Sequence, residues 1–531
     1  MYDKERGLYI AWGNGPISLT GKMANRHGLV AGATGTGKTV TLQVMAETFC
    51  GAGVPCFMAD MKGDLSGISQ AGAMSGFIEK RKELFGIPEP KFEACPVRFF
   101  DVFGEQGHPM RSTISQMGPQ LLSRILMLND TQEGVLNILF RIADERGLLL
   151  VDIKDLRSML NYIAEHSSEY TTRYGNISPQ SVGAIQRALL TLENQGGEKF
   201  MAEPAFNIQD LLAVEPTTGK GYMNVLAADK LMQNPRLYST FLLWLLSELY
   251  STLPEVGDLN LPKLVFFFDE AHMLFDDAPK ALTDKIEQVI RLIRSKGVGV
   301  YFVTQYPNDI PDVILGQLGN RVQHALRAYT PKDQKAVKVA AESFRANPEF
   351  KTEEALTQLE TGEALVSVLD EKGAPTVVQK AKILFPLSQI GAITEQQRDQ
   401  IIKSSRLYGI YDKVIDRESA FEVLLKEAEE AKREQEALAK QKEEEIILQK
   451  QEKEAARTAG AKKNSLWSKI KRALITAVTG AVATSVATSV SNKMSGKKSK
   501  SKTSMGNKIV KNTTSSITRT ITRDILGNLI K

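Results

Sequence analysis

Residues suited to binding phosphate lie near the amino terminus, in the octet Gly32-Ala33-Thr34-Gly35-Thr36-Gly37-Lys38-Thr39. The octet matches the pattern G-x-x-x-x-G-K-[ST], in which glycines let backbone N–H groups surround phosphate oxygens at the start of a helix. Lys38 would neutralise the β- and γ-phosphates of a nucleotide, and the Thr39 hydroxyl would bind Mg²⁺. The octet, extended by Val40, therefore predicts a binding segment for ATP with Mg²⁺.

A second reactive group is a pair of adjacent carboxylates after the apolar run Leu264 to Phe268. Ligands of open α/β sheets bind beyond the carboxyl ends of the strands. Asp269 would hold the Mg²⁺ there, and Glu270 would be the general base that polarises the attacking water. Two carboxylates after a strand can also be the N-terminal residues of a helix. The presence of the octet upstream favours the catalytic interpretation.

Other polar residues also follow apolar runs. Gln305 ends the run Tyr301 to Thr304. It would contact the γ-phosphate or the attacking water, and the alternative is an amide that caps a turn. Asp60, Lys62 and Asp64 follow another predicted strand. They would line the same edge of the sheet, or they would only solvate the strand end and its turn.

An arginine from a neighbouring subunit often completes the site of oligomeric P-loop motors. The candidates near the later strands are Arg291, Arg294, Arg321 and Arg327. We favour Arg321, because it opens a predicted strand just after the Gln305 segment. The alternative for each candidate is an ordinary surface arginine.

The elements that would position these side chains alternate short β-branched or aromatic runs with longer amphipathic stretches, a pattern typical of a mainly parallel α/β sheet. Residues 1–111 and 196–400 would form this core, with a helical insertion at 112–195. Residues 363–370 and 376–384 predict a hairpin at the sheet edge. The remaining predicted strands are 28–31, 55–60, 97–101, 264–269, 299–304 and 321–328.

The carboxyl-terminal part differs from the rest in charge. Residues 401–457 predict a long charged helix or linker, and residues 416–457 within them are rich in Glu, Lys, Ala and Gln, which favours an exposed helix over a dimerising coiled coil. From residue 458 onward, fifteen Lys and Arg stand against Asp524 alone, although the whole chain carries only +5. The rest of the chain is therefore net negative, and the basic tail is the part expected to attract nucleic acid or an anionic membrane.

Apolar residues recur at every fourth position in this tail and predict two amphipathic helices, with a stretch typical of disorder at residues 493–502. Residues 473–492 carry no charge and could span a bilayer, but their Thr, Ser and Ala content favours a helix lying on a partner protein or a membrane surface. Three cysteines without CxxC spacing and a charged amino terminus favour a reducing compartment. The expected location is cytoplasmic, with peripheral association to membrane or nucleoid through the tail.

Four segments of the chain together resemble the bacterial HerA-like ATPases: Gly32 to Thr39, Asp60 to Gly67, Phe268 to His272 and Val303 to Gln305. More narrowly, they resemble a branch once described as a domain of unknown function, which includes the YjgR-type proteins. The resemblance covers about residues 1–400. It implies a RecA-like fold, ATP bound between the subunits of a homo-hexamer, and translocation of double-stranded DNA through a central pore.

Three features depart from that family. The octet begins at Gly32, which leaves no room before it for the β-barrel through which HerA engages a nuclease, so a nuclease partner of that type is not expected. The helical insertion and the charged tail also lie outside the motor pattern. Three functions stay open: a DNA-translocating ring, an ATPase of a membrane-surface or protein-transport complex, and a nucleotide-dependent scaffold with negligible turnover. Glu270 argues against the last, because a pure switch has little use for a base.

Overall fold

The computed structural model describes residues 2, 5–257, 259–275 and 280–458. Residues up to Arg433 form one compact unit, and the chain from Glu434 onward forms another. The strands in the described residues are β1 (Leu8–Trp12), β2 (Pro16–Leu19), β3 (Gly28–Ala31), β4 (Cys56–Asp60), β5 (Val97–Asp101), β6 (His108–Pro109), β7 (Met223–Ala227), β8 (Leu264–Phe268), β9 (Val298–Thr304), β10 (Asn320–His324), β11 (Glu363–Ser367) and β12 (Gln379–Ile383).

These twelve strands of the described chain join one sheet in the order β2-β1-β12-β11-β10-β3-β9-β8-β4-β7-β5-β6. Neighbours from β10 to β6 run parallel. The strands β11, β12, β1 and β2 extend the sheet with antiparallel pairing. The prediction of an α/β fold with a mainly parallel sheet is therefore confirmed.

The predicted strands are present, but the hairpin was predicted at the wrong place in the sheet. β11 and β12 pair with each other, yet β12 also pairs with β1, where Ala11 lies opposite Ile383. The sheet therefore ends at β2 on this side. The interior strand β7 is not predicted from the sequence, because Asn224 interrupts its apolar pattern. Asn224 is buried and its amide donates to the carbonyls of Cys56 and Leu211, each at 3.1 Å, so the polar group is satisfied inside the sheet.

Helices occupy most of the remaining described chain. Within 112–195, the segment predicted as a helical insertion, Thr113, Asn129 and Asp152 each begin a helix with a capping box. The helices are α1 (Lys38–Gly51), α2 (Gly76–Arg81), α3 (Ile114–Ile125), α4 (Asp130–Arg146), α5 (Ile153–Glu165), α6 (Ser167–Tyr174), α7 (Pro179–Asn194), α8 (Gly197–Phe200), α9 (Asp229–Met232), α10 (Pro235–Thr252), α11 (Lys280–Ile293), α12 (Asp312–Leu315), α13 (Pro331–Glu342), α14 (Thr352–Gln358), α15 (Glu395–Ser404) and α16 (Ala420–Thr458).

Both faces of the sheet are covered, as the alternate side chains of β8 show. Leu264, Phe266 and Phe268 belong to an apolar core that includes α10 and the helices of 112–195, whereas Val265 and Phe267 belong to a second core that includes α1. All five side chains are fully buried, which is typical of a parallel strand between two helical layers. This packing gives the carboxyl end of β8 a rigid support.

The helix α16 contains 39 residues, and residues 425–453 within it are exposed. Where the chain is described, no helix combines the length and the apolar content needed to cross a membrane. Residues 459–531, which carry nearly all of the tail predictions, lie outside the described residues.

Candidate nucleotide-binding site

Three neighbouring parallel strands bring the predicted phosphate-binding and catalytic residues to one edge of the sheet. β9 lies between β3 and β8, and Ala31 at the end of β3 pairs with Thr304 at the end of β9. Gly32, Gln305 and Asp269 are the next residues after β3, β9 and β8. They therefore leave the sheet side by side at its carboxyl edge, where α/β proteins bind their ligands.

The loop between β3 and α1 needs glycine at both of its ends. Gly32 has a φ of 153°, and a Cβ there would come 2.5 Å from the Cβ of His324. Gly37 has a φ of 112° and directly precedes the first residue of α1, a conformation that other residues rarely adopt. The N–H of Gly32 donates to the Thr304 carbonyl at 3.3 Å. The loop is thus anchored to β9 and held at the helix amino terminus.

The Lys38 side chain folds back over this loop. Its Nζ donates to the carbonyls of Gly32, at 2.7 Å, and Ala33, at 3.1 Å. Burial lowers the pKa of Lys38, and the charges of Glu270 and Asp269 oppose that shift. The ammonium therefore lies between the loop and the two carboxylates, a position suited to phosphate oxygens.

Asp269 is a buried carboxylate at the end of β8, with only 6% of its surface exposed. Burial, with the charge of Glu270, raises the pKa of Asp269 to about 6. A cation would stabilise its charged form. The described residues contain no group of three or more His, Cys, Asp or Glu able to hold a metal. One carboxylate with the Thr39 hydroxyl and substrate phosphates is, however, the kind of oxygen set that Mg²⁺ uses, so these residues fit the ion.

Glu270 has an unusual backbone and an unusual environment. Its φ of 47° and ψ of 47° lie in the left-handed region, a costly conformation that often marks a functional site. Lys62 Nζ lies 2.6 Å from its Oε1, and His272 Nδ1 lies 3.5 Å from its Oε2. Burial pushes the pKa of Glu270 up, but the hydrogen bond and charge of Lys62 outweigh it and hold that pKa below its usual value.

Arg321 is not brought to this edge. It lies opposite Leu29 in the parallel pair of β10 and β3, near the beginning of both strands. Its guanidinium donates to the carbonyls of Leu318, Ser343 and Leu315 at 3.0, 3.2 and 3.1 Å. Three of its five N–H donors are bonded inside its own subunit, which suits Arg321 to a structural role. Its role at a neighbour's nucleotide stays a prediction.

The other candidates are divided between the site and the surface. Asp60 ends β4 beside β8, and burial, with the charge of Asp64, raises its pKa to about 7. Arg327 is exposed just beyond β10. Arg291 forms an exposed ion pair with Glu287 on α11, at 2.6 Å.

His324, which no sequence motif indicates, supports the phosphate-binding loop and α1. Its Nε2 lies 2.7 Å from the Thr41 hydroxyl of α1, and its Nδ1 lies 2.9 Å from the Glu363 carbonyl of β11. Burial lowers the pKa of His324 to about 4, so the ring is neutral near pH 7. A lone histidine within the predicted strand 321–328 gives no signal in the sequence for this contact with the helix.

The strand order and the glycine loop define a RecA-like P-loop NTPase. The family model described as "Helicase HerA-like C-terminal" matches residues 10–531, and the chain belongs to that family. This confirms the resemblance predicted from the four sequence segments.

Several solved structures are similar to this chain. The bacterial conjugative coupling protein TrwB is 16% identical, with 73% of this chain and 91% of that chain covered and a TM-score of 0.47. Its complex with ADP and Mg²⁺ gives 16%, the same coverage and 0.46. VirB4 of Thermoanaerobacter pseudethanolicus is 15% identical, with 72% and 97% covered and a TM-score of 0.43. A search of curated proteins found no match.

Proposed function

We propose that this chain binds Mg·ATP at the edge formed by β3, β9 and β8 and hydrolyses it to move double-stranded DNA, as one subunit of a homo-hexameric ring. The observation that carries the proposal is the meeting of Gly32, Gln305 and Asp269 at the ends of three adjacent parallel strands. Such a site combines phosphate binding, metal binding and a general base, which are the parts that phosphoryl transfer to water requires.

The segment Gly32 to Val40 would bind the phosphates through its backbone N–H groups. Lys38 would exchange its present bonds to the loop carbonyls for bonds to the β- and γ-phosphates. The Thr39 hydroxyl and the Asp269 carboxylate would hold Mg²⁺, and the raised pKa of Asp269 fits a carboxylate that gains a cation as its partner. When bound, Mg·ATP supplies the phosphoanhydride bond and the charge neutralisation at its oxygens.

Glu270 and Gln305 would act on the attacking water from two neighbouring strand ends. Glu270 is held ionised beside Lys62, and a carboxylate in that form can take a proton from water. Gln305 is half-buried at the end of β9, between the loop and Glu270. Its amide would orient the water or contact the γ-phosphate.

DNA as the substrate is supported by membership of a family named for the HerA helicase. The fifteen basic residues of the tail against Asp524 would add attraction to any polyanion. The alternative is an ATPase of a membrane-surface or protein-transport complex with a protein cargo, in which that tail would anchor the ring to the membrane or to a partner protein.

The test is the steady-state ATPase rate of the full chain with and without double-stranded DNA, together with a mass measurement of the assembly. We expect DNA to stimulate the rate, DNA binding to weaken steeply between about 50 and 200 mM salt, and a six-subunit mass. Removal of residues 459–531 should leave the stimulation in place. An ATPase that neither binds DNA nor responds to it would contradict the translocase proposal and leave only the hydrolytic one.

A further inference from the structure

The loop after β4 places a second lysine against the candidate general base. Lys62 Nζ lies 2.6 Å from Glu270 Oε1, with 55% of the lysine side chain but only 9% of the glutamate side chain exposed. The loop itself is braced. Asp60 accepts the Gly63 N–H at 2.8 Å, Gly63 has a φ of 77°, and the Ser66 hydroxyl donates to the Gly63 carbonyl at 2.8 Å. The position of Lys62 is therefore set by the fold.

The ion pair makes the two oxygens of Glu270 unequal. Oε1 accepts from Lys62, whereas Oε2 is buried and has no hydrogen-bond partner among the described residues. The charged and titratable groups nearest to this carboxylate are Lys62, His272, Asp269 and Lys38. Of these, Lys38 already donates to the carbonyls of its own loop. Only Lys62 fixes the carboxylate by a direct short bond.

We propose that Lys62 is a positioning residue for ATP hydrolysis, which holds the Glu270 carboxylate in place through Oε1. The inference rests on the proposed function. The left-handed backbone of Glu270 fixes where the side chain starts, and the bond to Lys62 fixes the carboxylate at its far end. A base misplaced by even about 1 Å loses much of its effect, so a bond that fixes the carboxylate acts on the rate of the chemical step.

The two lysines at this edge thus have different tasks. Lys38 belongs to the phosphate-binding loop and acts on the nucleotide. Lys62 belongs to the loop after β4, the strand beside β8, and acts through Glu270. A residue that acts through another loses its effect when that other residue is changed, and this dependence separates the two kinds of role.

The experiment measures kcat and KM for Mg·ATP on the full chain carrying Lys62→Met, Lys62→Arg, Glu270→Gln, or Lys62→Met with Glu270→Gln. General-base catalysis contributes about 10²- to 10⁴-fold. We expect Lys62→Met to lower kcat by about 10- to 100-fold with KM changed less than about twofold. Lys62→Arg should recover most of the rate, and Lys62→Met should add no loss to Glu270→Gln.

Lys230→Met is the matched control. Lys230 follows β7 at the same edge of the sheet and forms an ion pair with Glu105, with 47% of its side chain exposed. This variant loses a comparable ion pair away from Glu270, so its kcat should equal that of the parent.

Three results would overturn the proposal. An unchanged kcat in Lys62→Met would show that the ion pair is incidental, and a raised kcat would make Lys62 a brake. A raised KM, with a loss that persists in the Glu270→Gln background, would place Lys62 on the nucleotide. Absence of turnover in the parent chain would instead overturn the proposed function, and this inference with it.

Discussion

Mild acid should weaken this protein through His27, the residue that precedes β3. The Val300 N–H donates to Nδ1 at 3.0 Å, so that nitrogen carries no proton, and Nε2 lies 2.9 Å from the Ile290 carbonyl, to which it donates. Both ring nitrogens are thus committed to the neutral form. Burial accordingly lowers the pKa of His27 to about 4.

The sign and size of the effect follow from proton linkage. Between its unfolded pKa of about 6.5 and its folded pKa of about 4, His27 binds a proton in the unfolded chain but not in the native one. Stability is therefore unaffected above about pH 6.5 and falls as the pH drops towards 4. At pH 5 this amounts to about 2 kcal/mol of lost unfolding free energy. Burial raises the pKa of Asp60 to about 7 and that of Asp269 to about 6, and these groups favour the native state as the pH falls.

Since those carboxylates act in the opposite direction, a variant must isolate the histidine. His27→Asn does not titrate, tolerates the φ of 57° at this position, and offers an oxygen to the Val300 N–H. Urea unfolding of both chains at pH 7 and pH 5 gives the comparison. The parent should lose about 2 kcal/mol more than the variant between the two pH values. Equal losses in the two chains would show that the buried neutral histidine has been misassigned.

Four further predictions concern the site and its support. Gly32→Ala would place a Cβ 2.5 Å from the Cβ of His324, so nucleotide affinity measured by titration should fall at least about tenfold; retained affinity would contradict the close packing. Lys38→Ala should abolish detectable nucleotide binding in the same assay, and near-normal affinity would exclude its phosphate role. Glu270→Gln should lower kcat by about 10²- to 10⁴-fold while Mg·ATP still binds, and a kcat near that of the parent would remove it as the base. Arg321→Ala removes three hydrogen bonds to backbone carbonyls and should lower the unfolding free energy by about 2 to 4 kcal/mol. When this variant is mixed with parent subunits, it should not lower their rate of ATP hydrolysis. A lowered rate with unchanged stability would support a role of Arg321 in the neighbouring subunit's site.

The sequence alone identifies the parts of the site whose functional residues all lie within one short segment. The octet from Gly32 to Thr39 contains its own glycines, cation and hydroxyl, so its position in the chain is enough to identify it. Asp269 and Glu270 are recognisable because an apolar strand precedes them. That these segments meet follows from the topology of parallel sheets, whose strands present their carboxyl ends at one edge.

The remaining features depend on contacts between distant parts of the chain. Lys62 and Glu270 are 208 residues apart, and nothing in either segment indicates that β4 and β8 are neighbours. His324 meets α1 only because β10 lies beside β3. The same limitation applies to the contacts of Arg321. Its sequence position at the opening of a strand is correct, but the three carbonyls that occupy its guanidinium come from Leu315, Leu318 and Ser343, which only the folded chain brings around it.

The edge formed by β3, β9 and β8 is proposed to hydrolyse ATP. The most direct measurement is phosphate release from Mg·ATP by the full chain, compared with the Lys38→Ala chain under the same conditions. Steady release by the parent, with none above background from the variant, is the result expected from a phosphate-binding loop that depends on Lys38. Equal release from both chains, or none from the parent at any ATP concentration, would contradict the assignment of this edge as a hydrolytic site.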